Sequence, residues 1–129
     1  MLRWLWRSKQ KEVLNLDDCV FCRIIKGDLP CRKVYEDEKV LVFEDLHPVA
    51  PVHVLIIPKE HIGSVMDLNV KNAQVLADMH LAAKNIAGKT GLDKEGFRLI
   101  NNCGEGAGQT VNHLHYHMLG GRKLGAKIL

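Results

Sequence analysis

Three of the seven histidines sit within five residues, His113, His115 and His117, in the stretch NHLHYHMLGG. Imidazole titrates near neutrality, so it can serve as nucleophile, acid–base group or metal ligand. The spacing of two narrows the choice. On an extended strand, residues two apart point the same way, so the three rings share one face. Leu114, Tyr116 and Met118 then share the other. Same-face neighbours are about 6.6 Å apart and the outer pair about 13 Å. Two adjacent imidazoles can reach one metal at bonds of about 2.1 Å, but three do so only with difficulty. A buried row of neutral rings is also costly, because each ring nitrogen then needs a partner. The spacing favours separate tasks for the three rings.

The preceding segment, NNCGEGAGQT, places glycines at 104, 106 and 108, followed by Gln109 and Thr110. Such a loop can turn successive N–H groups inward as an anion-binding nest, or can simply make a tight turn. Joined directly to the histidine segment, it would hold a phosphate within reach of an imidazole. Near the other end, CVFC brings Cys19 and Cys22 close in sequence. Close cysteine pairs in a reducing compartment bind metal or do redox work more often than they form staples. No strand precedes this pair as a thioredoxin-like motif requires, so redox is the weaker reading beside metal, with plain thiols also open. Cys31 and Cys103 have no evident partner and read as ordinary thiols.

Positioning these groups falls to a small set of elements. DDCVFCRIIKGDLP reads as a short helix with Asp17 or Asp18 as N-cap, ended by Gly27 and Pro30. KVYEDEKVLVFED reads as a hairpin turning at Asp37 and Glu38. HPVAP must be a loop, since its two prolines interrupt any ladder. VHVLIIP is apolar on both faces, as a strand inside a covered sheet should be. NVKNAQVLADMHLAAKNIAGKTGL is the long helix: Leu76, Met79, Ala83, Ile86 and Ala87 form its stripe, and Gly88 or Gly91 closes it. His80 reads as a helix-surface or core-edge histidine. FRLINNC and VNHLHYHML supply two more strands. The order predicts an α+β domain with a mainly antiparallel five-stranded sheet, one long helix and one short N-terminal helix.

At 129 residues, with 47% hydrophobic and 26% charged residues, the chain has the size and composition of one soluble domain. The net charge of +3 belongs to the first 14 residues, where Arg3, Arg7, Lys9 and Lys11 face only Glu12. From Asn15 onward there are 14 basic and 14 acidic residues, so no electrostatic footprint for long nucleic acid exists there. The leader, residues 1–16, is a poor signal peptide, because Arg3 and Arg7 break its apolar stretch. Trp4 and Trp6 could seat an interfacial helix on a membrane, but a docked or frayed extension is the preferred reading. No apolar run reaches the roughly 18 residues of a membrane span. Cysteines without an export signal point to the cytoplasm.

GQTVNHLHYHMLGG resembles the histidine triad signature, His-x-His-x-His followed by an apolar pair. FEDLHPVAPVHVLIIPKEHI resembles that family's other diagnostic block, and CVFCRIIKGDLP its usual opening. The likeness runs from about Asp17 to Gly121 and is nearest the Hint branch, the histidine triad nucleotide-binding proteins. It implies a histidine triad domain over residues 17–129 that hydrolyses purine nucleoside 5′-phosphoramidates and releases the nucleoside monophosphate. It implies a homodimer paired through the long helix and a sheet edge, which would cover an open edge strand.

Residue by residue, the resemblance makes His115 the nucleophile of a nucleotidyl-histidine intermediate, a recognised role for histidine. His117 falls on the position at the phosphate and leaving group, and His53 on another histidine beside the phosphate. Gly108, Gln109 and Thr110 match phosphate-contacting positions, and Asn102 a phosphate- or sugar-side asparagine. Asp45 matches the ribose-binding acid, and Val20, Phe21, Ile24, Phe43 and Leu46 the walls of a purine slot. Read alone, His53 would be a core histidine, Asp45 a surface acid and the five apolar residues simply core. Bacterial members with Cys-x-x-Cys and a histidine in IPKxH imply a structural zinc ion held by Cys19, Cys22, His61 and His113.

Some features depart from the pattern. Ala107 stands where the loop often has glycine, His47 adds a histidine near the ribose end, and RKLGAKIL lacks the Trp-Pro-Pro-Gly tail of animal members. That last difference leaves the leaving group open. Dinucleoside polyphosphate hydrolysis, or nucleotide binding with incidental catalysis, are the competing readings. Physiological substrate and purine preference are not legible in the sequence.

Overall fold

A computed structural model describes residues 18–129. Leader residues Trp4 and Trp6, and Asp17 as a cap, lie outside the described residues. Five strands, β1 (Lys33–Glu36), β2 (Val40–Glu44), β3 (Val52–Pro58), β4 (Phe97–Ile100) and β5 (Tyr116–Gly120), form one sheet in the order β1-β2-β3-β5-β4. Every neighbouring pair is antiparallel. Among the described residues the α-helices are α1 (Val20–Lys26), before the sheet, then α2 (Gln74–Thr90) and the four-residue α3 (Leu92–Glu95), which the sequence did not signal. The architecture is α+β, as expected. Among the described residues no helix is long and apolar enough to cross a membrane.

Alternation in the two inner strands builds two cores. Val40, Val42, Val54 and Ile56 face one way and pack with Met79, Ala83, Ile86 and Ala87 of α2. Leu41, Phe43, Leu55 and Ile57 face the other way and pack with Cys19, Phe21 and Cys22 at α1. This explains why VHVLIIP carries no polar face: β3 is the middle strand and is covered on both sides. The predicted stripe of α2 is buried except for Leu76, which is partly exposed, and Gly91 rather than Gly88 ends the helix in a left-handed cap. His80 is exposed, donating from Nδ1 to the Leu76 carbonyl at 2.7 Å.

Two expectations need correction. The cap of α1 is Cys19, not Asp17 or Asp18; its sulfur accepts from the Cys22 N–H at 3.3 Å, and Gly27 ends the helix before Pro30 is reached. Second, the ladder of β5 begins only at Tyr116, so His113 and His115 precede the strand. Their alternation persists without it: Leu114 and Met118 are buried against α2, while His115 and His117 turn to the α1 side.

The paired glycines after the triad have a packing reason. A Cβ on Gly120 would meet Leu92 Cδ1 at 2.7 Å, and Gly121 combines φ +91° with the Pro51 Cβ at 2.8 Å from such an atom. The end of β5 is therefore clamped between α3 and the HPVAP loop.

Candidate active site

His115 is 4% exposed, yet its chemistry is set by one contact. Its Nδ1–H donates to the main-chain carbonyl of His113 at 2.7 Å. In the neutral ring this leaves the lone pair on Nε2. Burial pushes the imidazole below its ordinary value of 6.5, which favours that neutral form. The segment lacks strand pairing, so other bonds hold it. Leu114 N–H donates to the Ile62 carbonyl at 2.6 Å, and Asn101 Nδ2 donates to the His115 carbonyl at 2.9 Å. The sequence gives no signal for Asn101, since the resemblance points to its neighbour Asn102. Asn102 is itself half-buried.

Beside His115 lies a second group, with ring centroids 5.3 Å apart between His115 and His117. His53 Nε2 is 2.9 Å from His117 Nδ1 and 3.4 Å from Asp45 Oδ2, and His117 Nδ1 is 4.0 Å from that oxygen. By distance alone Asp45, His53 and His117 could hold a metal ion. The hydrogen bonds argue otherwise. Val49 N–H donates to His53 Nδ1 at 3.1 Å, so the neutral ring carries its proton on Nε2 and has no lone pair there for a cation. His53 Nε2–H then donates to His117 Nδ1, which places the proton of a neutral His117 on Nε2. The result is a chain of donors ending at His117 Nε2–H. Burial and the neighbouring histidines His115 and His53 hold His117 below the ordinary range, against an opposing pull from Asp45. Asp45 Oδ1 accepts from His47 N–H at 2.7 Å, which bends the chain into the HPVAP loop.

A third group gathers Cys19, Cys22, His61 and His113. Cys19 Sγ is 3.3 Å and Cys22 Sγ 3.6 Å from His113 Nδ1, and Cys22 Sγ is 3.2 Å from His61 Nδ1. His113 is fully buried and donates from Nε2 to the Pro58 carbonyl at 2.8 Å, which turns its Nδ1 lone pair to the sulfurs. A tetrahedral zinc ion with bonds of about 2.3 Å to sulfur and 2.0–2.1 Å to nitrogen would set S···N edges of roughly 3.6 Å. The four residues fit such an ion. Burial, then the adjacent Cys19 sulfur, pushes the Cys22 thiol up to about 12, and a cation is what would bring the thiolate out. His113 and His117 thus belong to two different side-chain groups.

The glycine loop that precedes the histidine segment is braced by one side chain. Gln109 is 7% exposed, and its amide serves the loop itself: Oε1 accepts from Gly104 N–H at 2.9 Å. Its Nε2 donates to the Gly63 and Val111 carbonyls at 2.8 and 3.0 Å. The main-chain N–H groups of Gly108 and Gln109 also bond inside the loop, to Glu105 and Gly104. Thr110 is exposed and, among the described residues, makes no hydrogen bond through its N–H or hydroxyl. Gln109→Leu removes three bonds from one buried side chain. It is expected to cost about 2 kcal/mol of stability, measured by urea unfolding, with the loop rather than the nucleophile disturbed.

The family model described as scavenger mRNA decapping enzyme C-term binding matches residues 18–127. A HIT-like protein from Buchnera aphidicola is 45% identical over 84% of this chain and 95% of its own length. The chain belongs to the histidine triad family. It is similar also to the purine nucleoside phosphoramidase of Escherichia coli K12, 41% identical over 84% of this chain and 92% of that protein. Among solved structures it is similar to a HIT family hydrolase from Clostridium thermocellum, 57% identical, with a TM-score of 0.86 over 89% of this chain and 100% of that one. A histidine triad protein from Clostridium difficile is 49% identical with a TM-score of 0.82, covering 85% and 96% of the two chains.

The five apolar residues that the resemblance assigned to a base slot differ in exposure in this histidine triad chain. Phe21 and Phe43 are buried and meet edge to face at 5.7 Å, and Ile24 is half-buried beside them. Val20 and Leu46 present apolar surface to solvent, Leu46 at 88% exposure.

Proposed function

We propose that the chain is a nucleoside 5′-phosphoramidate hydrolase working through a nucleotidyl-histidine intermediate on His115. The observation that carries this reading is the Nδ1–H bond from His115 to the His113 carbonyl, which leaves Nε2 as a buried nucleophile beside His117. The Nε2 lone pair forms the bond to phosphorus while the P–N bond to the amine breaks. The electron pair leaves on the amine nitrogen, which takes a proton from solvent as it accepts a hydrogen bond from His117 Nε2–H. Water then attacks phosphorus, the nucleoside monophosphate departs, and the proton of that water returns to solvent as Nε2 regains its lone pair. The Thr110 N–H and hydroxyl, which have no partner among the described residues, are available to the phosphoryl oxygens, where donors favour the charge that builds. We assign the Asp45 carboxylate to the ribose hydroxyls and Val20, Phe21, Ile24, Phe43 and Leu46 to the base, with a purine nucleotide as the small-molecule partner. The phosphoramidase name and 41% identity of the Escherichia coli relative support the substrate class. A turnover panel of adenosine and guanosine phosphoramidates with varied amines, run beside dinucleoside polyphosphates, tests it. We expect amine release to dominate; turnover confined to the polyphosphates would overturn the reading.

The Cys19, Cys22, His61 and His113 set is proposed to hold structural zinc, whose bound charge would stabilise the two thiolates. We further infer a cytoplasmic homodimer. Strand β4 ends the sheet with Phe97 partly exposed, and such an edge is normally covered or paired.

A further inference from the structure

We infer that the Cys19–Cys22–His61–His113 cluster positions the nucleophile, because it fixes both the carbonyl and the aromatic ring that hold His115 in its reactive tautomer. The inference rests on reading His115 as the nucleophile. Three observations carry it. The carbonyl that takes the His115 Nδ1 proton, at 2.7 Å, belongs to His113, a member of the cluster. Phe21, which lies between the two cysteines in sequence, sets its ring edge-on to His113 at 5.7 Å and to His115 at 5.2 Å. The segment carrying both histidines has no strand pairing until Tyr116, so the ladder does not hold it. Among the described residues its remaining tether on that side, Leu114 N–H to the Ile62 carbonyl, lands on the residue after the cluster's His61.

These links make one mechanical unit. The His113 side chain is held at both nitrogens, by Pro58 at Nε2 and by the sulfurs at Nδ1. The peptide unit that carries the His113 carbonyl also carries the Leu114 N–H, so its plane is set by the bond to the Ile62 carbonyl beside His61 and by the anchored His113 Cα; rotation of the plane would remove the acceptor from His115. The imidazole would then exchange its proton between Nδ1 and Nε2, and each ring with the proton on Nε2 is a ring without a nucleophile. A misplacement of about 1 Å or a lost tautomer is enough for large losses in rate, on the order of a hundredfold. Cluster residues that never touch substrate thus act as positioning residues for the chemical step.

The test uses the full chain, with zinc as the probe and histidine labelled with 15N. His61→Ala removes the half-buried ligand that makes no contact with His115; zinc-loaded and chelator-stripped wild type are compared with it, each at a temperature where the far-UV spectrum shows a folded chain. At pH 8 the loaded chain is expected to show one His115 tautomer, protonated at Nδ1. The stripped chain and His61→Ala should show an exchanging mixture. Single-turnover formation of the nucleotidyl enzyme should slow at least about tenfold, with AMP affinity within about threefold. His61→Cys, which restores four ligands, should restore the single tautomer. One unchanged tautomer in every sample overturns the inference. That readout needs no substrate, so its failure and a failure of the phosphoramidate reading are told apart.

Discussion

Replacing His115 by Asn abolishes turnover of a nucleoside phosphoramidate, by roughly 10⁴-fold or more, and leaves nucleotide binding in place. The magnitude follows from the site. Removing the lone pair of the proposed nucleophile forces the reaction onto direct attack by water, and 10⁴ in rate corresponds to about 5.5 kcal/mol of barrier. Binding should survive because the groups proposed for ribose and base, Asp45, Phe43 and Leu46, are carried by β2 and the loop after it, which the substitution leaves unchanged. An asparagine amide can still donate to the His113 carbonyl, so the 4%-exposed position is not left with an unpaired acceptor beside it. Mass spectrometry of quenched reactions should find a nucleotide adduct on the wild-type chain and none on the variant. Unaltered turnover would remove His115 from the mechanism. The pH profile of kcat/KM carries the same prediction in another form. Only the neutral ring is nucleophilic, so activity is retained as pH rises and lost as it falls through the His115 pKa. Burial holds that pKa below 6.5, so the acid limb should lie below pH 6.5; a limb centred above it would contradict this assignment.

How much of this was legible beforehand depended on whether side chains or main chain carried the information. β2 and β3 announce themselves through side chains, since Val40 to Phe43 and Val54 to Ile57 alternate between two cores and leave no polar face. Helix α2 does so through its stripe. The separation of His113 from His117 was also readable, because a spacing of two sets distance and direction whether or not a ladder forms. Main-chain partners left no trace in the sequence. Nothing in HPVAP says that the Val49 amide sets the tautomer of His53, and nothing in IPKEH says that the Pro58 carbonyl turns His113. The start of β5 was placed too early for a related reason: alternation reports where side chains point, not which amides are paired. The resemblance puts Gln109 at the phosphate, and nothing in the sequence says that its side-chain amide spans Gly104, Gly63 and Val111. The cap of α1 was assigned to an aspartate on general preference, yet a cysteine sulfur held in the cluster occupies that position.

Protein purified without chelator should contain one zinc ion per chain, and stripping it should lower the thermal midpoint by more than about 10 °C. The size of the effect comes from linkage. An ion bound a thousandfold above its dissociation constant contributes about 4 kcal/mol, and each kcal/mol moves the midpoint of a chain this size by roughly 3–4 °C. Helix α1 is where the loss should be felt. Seven residues are too few for a helix to stand alone in water, so its stability comes from what it packs on. That packing is the smaller of the two cores, in which Cys19, Cys22 and Phe21 are the helix-side members. Without a cation, two buried sulfurs and two imidazoles must satisfy one another through weak thiol donors; with one, the same four groups become bonds that tie α1 to the segments carrying His61 and His113. Thiol titration separates the outcomes. Cys31 and Cys103 are half-buried and should react in the native chain, whereas Cys19 and Cys22 should react only after chelation. Four thiols that titrate freely in protein free of zinc would refute the metal assignment, and a native disulfide between Cys19 and Cys22 would put redox chemistry in its place.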